Sequence, residues 1–233
     1  MELAIMQPYF LPYIGYFQLI NAVDEFVVYD NIQFCKGGWI RRNRILVNGR
    51  DYFISLPIQH ASGYLDIYDR QLAPSFTSDC QKFLRRIEAA YRKAPYFSVT
   101  MPVLEQCFLC NETNLFAFIR YSLENICDYL RIKTRFSISS TLNVDRNLKN
   151  KGRVIAICQS LSADHYINAI GGMDLYNKEE FALRGIRLSF LRPKPIVYAQ
   201  FDNDFVPNLS IIDVMMFNDL DHINNMLGAY DLV

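Results

Sequence analysis

The fold is decided by Leu3-Ala4-Ile5-Met6-Gln7-Pro8-Tyr9-Phe10-Leu11-Pro12-Tyr13-Ile14-Gly15-Tyr16-Phe17-Gln18-Leu19-Ile20, closed by Asp24-Glu25-Phe26-Val27-Val28-Tyr29-Asp30. Residues 3–6 are a short apolar run. Two prolines then forbid a regular element through residues 8–12, because each fixes φ and lacks an amide donor. From Tyr13 onward Ile14, Phe17, Leu19 and Ile20, with small Gly15, suit a helix packed closely on a sheet. Residues 26–29 are β-branched and aromatic and are bracketed by acids, as in a buried strand. Strand, turn, helix and parallel strand together open an α/β sheet of mainly parallel, Rossmann-like type. Ligands bind such sheets at the carboxyl ends of the strands. Here that end carries Gln7, Pro8 and Tyr9 after the first strand, and Asp30, Asn31 and Gln33 after the second.

The same logic extends along the 233 residues. Residues 44–47 and 51–58 flank Asn48-Gly49, the strongest short hairpin signal. One short strand is expected near 65–68. Helical spacing of apolar residues covers 77–93, a stretch near 103–110, and 115–130, the last capped by Thr113 or Asn114. Strands at 135–138, 165–170 and 186–191 alternate with helices at 148–161 and 178–184, and a further helix spans 210–217. Pro193 and Pro195 are expected to end the last strand. The expected organisation is one α/β domain over 1–233, with a β-hairpin and a helical insertion at 77–131.

Composition narrows the function. About half the residues are apolar (51%), enough for a sizeable core, and 15 tyrosines suit a carbohydrate or nucleotide cleft as well as an aromatic core. Zero formal net charge argues against a non-specific nucleic-acid binder. No apolar run is long enough to span a membrane and no basic leader precedes the first strand, so a cytoplasmic protein is expected. Cys107 and Cys110 have redox or zinc spacing, but no second pair or nearby histidine completes a site. They read as buried helical thiols, and no metal is expected.

Several groups of residues could carry chemistry. In Lys36-Gly37-Gly38-Trp39-Ile40-Arg41-Arg42-Asn43-Arg44 the glycines permit a bent loop and Trp39 can stack on a sugar or base. Alternation places Arg42 and Arg44 on one face, a geometry suited to a diphosphate. Asp30 is a candidate general base, and His60, in the loop after the hairpin, a candidate acid–base group. Tyr198 and Gln200 share a face if extended, and Ser210 and Asp213 fall in the first turn of a helix, where a capping role also explains them.

The chain resembles the WbqC-like family, bacterial proteins encoded largely among genes for O-antigen and other surface polysaccharides. The resemblance is carried by residues 7–20, 29–34 and 38–45, by Ala89-Ala90-Tyr91 and residues 94–97, by His165-Tyr166 with Gly171-Gly172, and by residues 209–213. It implies a place in surface-polysaccharide synthesis, where a transferase is expected. The reaction expected is acyl or aminoacyl transfer to the amine of a nucleotide-linked amino sugar. In that scheme Lys36, Arg42 and Arg44 hold phosphates, while Trp39, Tyr9 and Tyr16 pack on rings. Gly15 lets the ligand approach, Gln7, Gln33 and Asn43 orient it, and Tyr198, Gln200, Ser210 and Asp213 line the cleft. The donor is unspecified and a homo-oligomer is left open. The Pro12-Tyr13-Ile14-Gly15-Tyr16 turn is also laid out like that of nucleotidylyltransferases with a His-x-Gly-His motif. Tyrosines stand at both histidine positions, however, and a neutral phenol brings no positive charge to a phosphoryl transition state. A non-catalytic adaptor is the third alternative.

Overall fold

The structure is a computed structural model describing residues 1–202 and 204–233. Its elements are β1 (Glu2–Met6), α1 (Ile14–Asn21), β2 (Glu25–Val28), β3 (Arg42–Val47), β4 (Arg50–Ser55), α2 (Phe76–Tyr91), α3 (Phe97–Phe108), α4 (Leu115–Tyr129), β5 (Arg135–Ile138), α5 (Asn150–Ser160), β6 (His165–Ala169), α6 (Lys178–Ala182), β7 (Arg187–Pro193), α7 (Ile211–Phe217), α8 (Leu220–Leu227) and β8 (Tyr230–Leu232). A six-stranded sheet runs in the order β5-β2-β1-β6-β7-β8. Every pair is parallel except β7 with β8. The hairpin β3–β4 forms a separate antiparallel sheet.

The near-continuous apolar sequences of β1 and β2 follow from burial on both faces. Leu3, Ile5 and Val27 point into one core with Val154, Ile157 and Phe181 of α5 and α6. Ala4, Phe26 and Val28 point into the other, which contains α1, the hairpin and helices α2 to α4. The helical middle of the chain therefore shares a core with the sheet. Phe10, from the turn after β1, is wedged against Phe108 and Phe118 of that middle, at ring separations of 6.1 and 6.2 Å.

The turn at 8–12 is anchored from several sides. Leu11 adopts φ 42°, in the left-handed region that disfavours a residue with a Cβ. Asn43 of β3 donates its amide to the Phe10 and Leu11 carbonyls at 3.0 and 2.9 Å. The Ser210 hydroxyl donates to the Leu11 carbonyl at 2.7 Å, and the Ile211 amide to that of Pro12 at 2.8 Å. An unfavourable backbone angle persists where its surroundings over-determine it, as here.

Some expected elements differ. The stretch near 65–68 is a 3₁₀ turn at Ile67–Asp69 with one isolated bridge, Gln33 to Asp66. Amide bonds from Ile67 to Ile32 and from Tyr68 to Asp30 lay it alongside the chain after β2, but the run is too short for a ladder. Helix α3 begins at Phe97 and carries Pro102 within it. β7 continues through Pro193 because the antiparallel β8, which the sequence reading lacked, pairs there through Tyr230. α8 was also unanticipated. Buried Gln18 of α1 ties down its end by donating to the carbonyls of Met226 and Ala229 at 2.7 and 3.0 Å.

Candidate functional site

Chain order places the topological switch point between β1 and β6. From β1 the chain winds outward through β2 to β5, then returns to β6 on the other side of β1. A cleft of about 470 Å³ opens there, at the carboxyl ends of β1, β6 and β7, within the usual size of small-molecule sites. Gln7, Tyr9 and Tyr13 form one wall. Asn168, Gly171, Gly172 and Tyr176, from the end of β6 and the 3₁₀ turn after it, form the opposite one. Tyr29, Ile32 and Trp39 complete the lining.

Two further cavities border this cleft. One, of about 370 Å³, shares Tyr9, Tyr13 and Trp39 with it and adds Asn43, Arg44 and Asn208. Another, of about 400 Å³, shares Tyr13, Gly15 and Pro193 and is also lined by Tyr198. Tyr13 borders all three. Its ring lies over Gly15 so closely that any Cβ there would collide with it. A side chain at position 15 would therefore displace the Tyr13 ring, and one at position 172 the Asn168 amide.

The main cleft is mostly apolar and aromatic, with polar groups from its tyrosines, Gln7 and Asn168, and among the described residues no Asp, Glu, Lys, Arg or His lines it. Desolvation raises the phenols of Tyr9, Tyr13, Tyr29 and Tyr176 above their usual range. They stay protonated at neutral pH and act as hydrogen-bond donors. The Tyr16 hydroxyl donates to the Gln7 carbonyl at 2.8 Å, and its ring lies 5.5 Å from that of Tyr9, fixing both residues at the cleft. Cations stand at the rim. The Arg44 guanidinium lies 5.7 Å from the centre of the Trp39 ring, pairs with Asp51 at 3.1 Å and donates to the Asn208 carbonyl at 3.3 Å.

The structure brings together Gln7, Tyr9, Gly15, Tyr16, Trp39, Asn43 and Arg44 at or beside the cleft. Tyr198 lines the neighbouring cavity of about 400 Å³, and the remaining sequence candidates lie elsewhere. Asp30 is buried: one carboxylate oxygen accepts from the Ser139 hydroxyl and Ser140 amide at 2.8 and 2.9 Å, the other from the Ser140 hydroxyl at 2.6 Å. It joins the ends of β2 and β5 and does not line the cleft. His60 and Lys36 are exposed and do not line it either. Gln33 donates to the Gly63 carbonyl at 2.9 Å, and Arg42 to that of Gly37 at 2.5 Å. Arg42 also stacks on Phe53, 5.1 Å from its centre, away from the cleft lining. Asn43 and Ser210 hold the 8–12 turn, as described above.

Tyr198, Gln200 and Asp213 meet in a buried knot. Asp213 is fully enclosed and accepts from Tyr198, Gln200 and Tyr91 at 2.6, 2.6 and 2.9 Å. Only Tyr198 of these reaches a cavity. The thiols of Cys107 and Cys110 are both raised by burial, Cys107 to about 12, so neither is a ready nucleophile.

Tyr13, Tyr29, Asn168 and Tyr176 were missing from the candidates for the amino-sugar cleft. Asn168 carried a signal, being a polar residue inside a buried strand just before Gly171-Gly172. Tyr29 had one too, as the first side chain beyond β2.

The family comparison covers all of this site. The chain belongs to the WbqC-like protein family, whose model matches residues 7–225. It is 29% identical over 219 residues to the uncharacterized protein Rv1507c of Mycobacterium tuberculosis (strain ATCC 25618 / H37Rv), covering 93% of each chain. No solved structure matches it significantly. Among the described residues, no helix is long and apolar enough to cross a membrane.

Proposed function

We propose that this protein is a cytoplasmic transferase of bacterial surface-polysaccharide synthesis that binds a nucleotide-linked amino sugar in the switch-point cleft and transfers an acyl or aminoacyl group to its amine. The observation that carries the reading is an aromatic, uncharged cleft at the carboxyl ends of parallel strands. We read the first β-α-β unit as Rossmann-like on the same ground. Tyr9 and Trp39 offer faces for the sugar or base, and Arg44 stands where a phosphate would emerge at the rim. A cleft without carboxylates disfavours the ammonium form of a bound amine. It thereby favours the neutral nucleophile, and the proton the amine sheds as the acyl–donor bond breaks leaves with the departing thiolate or alkoxide of the thioester or ester donor, so acyl transfer does not need Asp30 or His60. The phenols and the Asn168 amide can donate to the oxyanion that forms as the amine adds to an acyl carbon. Nucleotidyl transfer is less well supported, because no cation lines the cleft beside the transferred phosphate.

The test is thermal-shift binding against nucleotide amino sugars, nucleoside triphosphates and coenzyme A thioesters. Saturation at a hundred times the dissociation constant stabilises by about 2.7 kcal/mol. A shift with a nucleotide amino sugar, reduced at least tenfold in affinity by Trp39→Ala, is expected. A shift with triphosphates alone would favour nucleotidyl transfer. Silence across the panel would leave the adaptor.

A further inference from the structure

Arg153 is a buried cation without an anion. It sits in the first turn of α5, at the carboxyl end of the sheet, and is 8% exposed. No carboxylate oxygen of the described residues lies within 4.0 Å of it. Its Nη1 donates to the Asn31 carbonyl at a long 3.5 Å, and its buried Nε donates to nothing. Burying a charge is costly unless it is paired and hydrogen-bonded. Nearby anions do not meet that need: the Asp30 oxygens are taken by Ser139 and Ser140, and Asp66 interacts with Arg153 only across a gap wider than an ion pair.

The position of this charge gives it a use. The guanidinium lies 5.5 Å from the centre of the Tyr29 ring, and Tyr29 lines the cleft. Arg153 therefore stands one side chain behind the wall of a cleft with no charges of its own. Arg44, the cation on the Trp39 side, already has Asp51 as counter-charge. We infer that Arg153 is an anion anchor of the cleft, and that the ligand carries, on the Tyr29 side, a carboxylate or phosphate group that its guanidinium attracts across the Tyr29 ring. This rests on the cleft being the ligand site. The anion would be either a carboxylate on the sugar itself, which then belongs to the acidic sugars, or a phosphate of the second substrate.

Calorimetric titration separates these sources. The probes are uridine diphosphate glucuronate, uridine diphosphate glucose, and the latter with inorganic phosphate added. An acidic-sugar ligand predicts that the glucuronate binds at least tenfold tighter than the glucose compound. A phosphate source predicts instead that added phosphate tightens binding of the glucose compound. In either case Arg153→Gln abolishes the gain, while Arg153→Lys retains part of it. In the unaltered protein, the Nε–H resonance of Arg153, assigned by its loss in Arg153→Lys, moves with the effective anion and not with the glucose compound alone. Binding of all probes with equal affinity, or a gain that survives Arg153→Gln, overturns the anchor and leaves the cleft standing. Binding of none overturns the anchor, and the cleft reading is then decided separately by the nucleotide amino sugars of the thermal-shift panel.

Discussion

Burial and hydrogen bonding pull the Asp213 carboxyl in opposite directions. Enclosure raises its pKa, three donors oppose the rise, and enclosure prevails, so the folded value stands above the ordinary 3.8. In the window above 3.8 the folded chain keeps a proton that the unfolded chain has lost, so this group lowers stability as pH rises through it. Asp213→Asn removes that titration. The unfolding free energy of the variant should therefore improve relative to the unaltered protein as pH rises above the ordinary 3.8, as read from urea midpoints. A pH-independent difference would show that the donors hold the carboxylate at its ordinary value. The sequence brought Tyr198, Gln200 and Asp213 together as candidates, and they do meet, but in a knot most of which lies beneath the surface. An aspartate among Ile211, Ile212, Val214 and Met215 was the available clue to its burial. For Asp30 there was no local clue, because the serines that satisfy it follow more than a hundred residues later.

Among the elements, the 8–12 turn shows how a weakly structured segment can carry a rigid wall. Tyr9 and Tyr13 face the cleft only while the strained Leu11 backbone is clamped. Asn43→Ala leaves the Phe10 carbonyl without its side-chain donor and removes one from Leu11. It should cost about 2 kcal/mol in chemical denaturation, and also weaken binding of whichever nucleotide sugar shifts the unaltered protein. A variant of ordinary stability would mean that Ser210 and Ile211 suffice as clamps. The hairpin was legible because Asn48 and Gly49 both take positive φ, 51° and 74°, as its tight turn demands. α4 was legible because Asn114 caps it, accepting from the Ala117 amide at 3.0 Å. The closing pair α8 and β8 was not. Their apolar patterns are short, and they gain order from distant partners, α8 from Gln18 and β8 from β7.

At the scale of the whole molecule, the parallel sheet and its alternating helices could be read from apolar runs and prolines. The packing of the helical middle could not, because residues 77–131 carry no marker of which sheet face they cover. They share one buried cluster with α1, the hairpin and the 8–12 turn. Such a shared core predicts one calorimetric unfolding transition with equal van't Hoff and calorimetric enthalpies. Two resolved transitions would instead make the helical segment a separate folding unit. The switch point between β1 and β6 has a further consequence, for the order in which the protein comes into being. Gln7 and Tyr9 are synthesised long before the wall facing them, Asn168 to Tyr176, which follows only after the whole helical middle and β5 have been made. A nascent chain can therefore fold its hairpin and helices before it has anywhere to hold a ligand, and any stabilisation by substrate acts only once Asn168 to Tyr176 have been made.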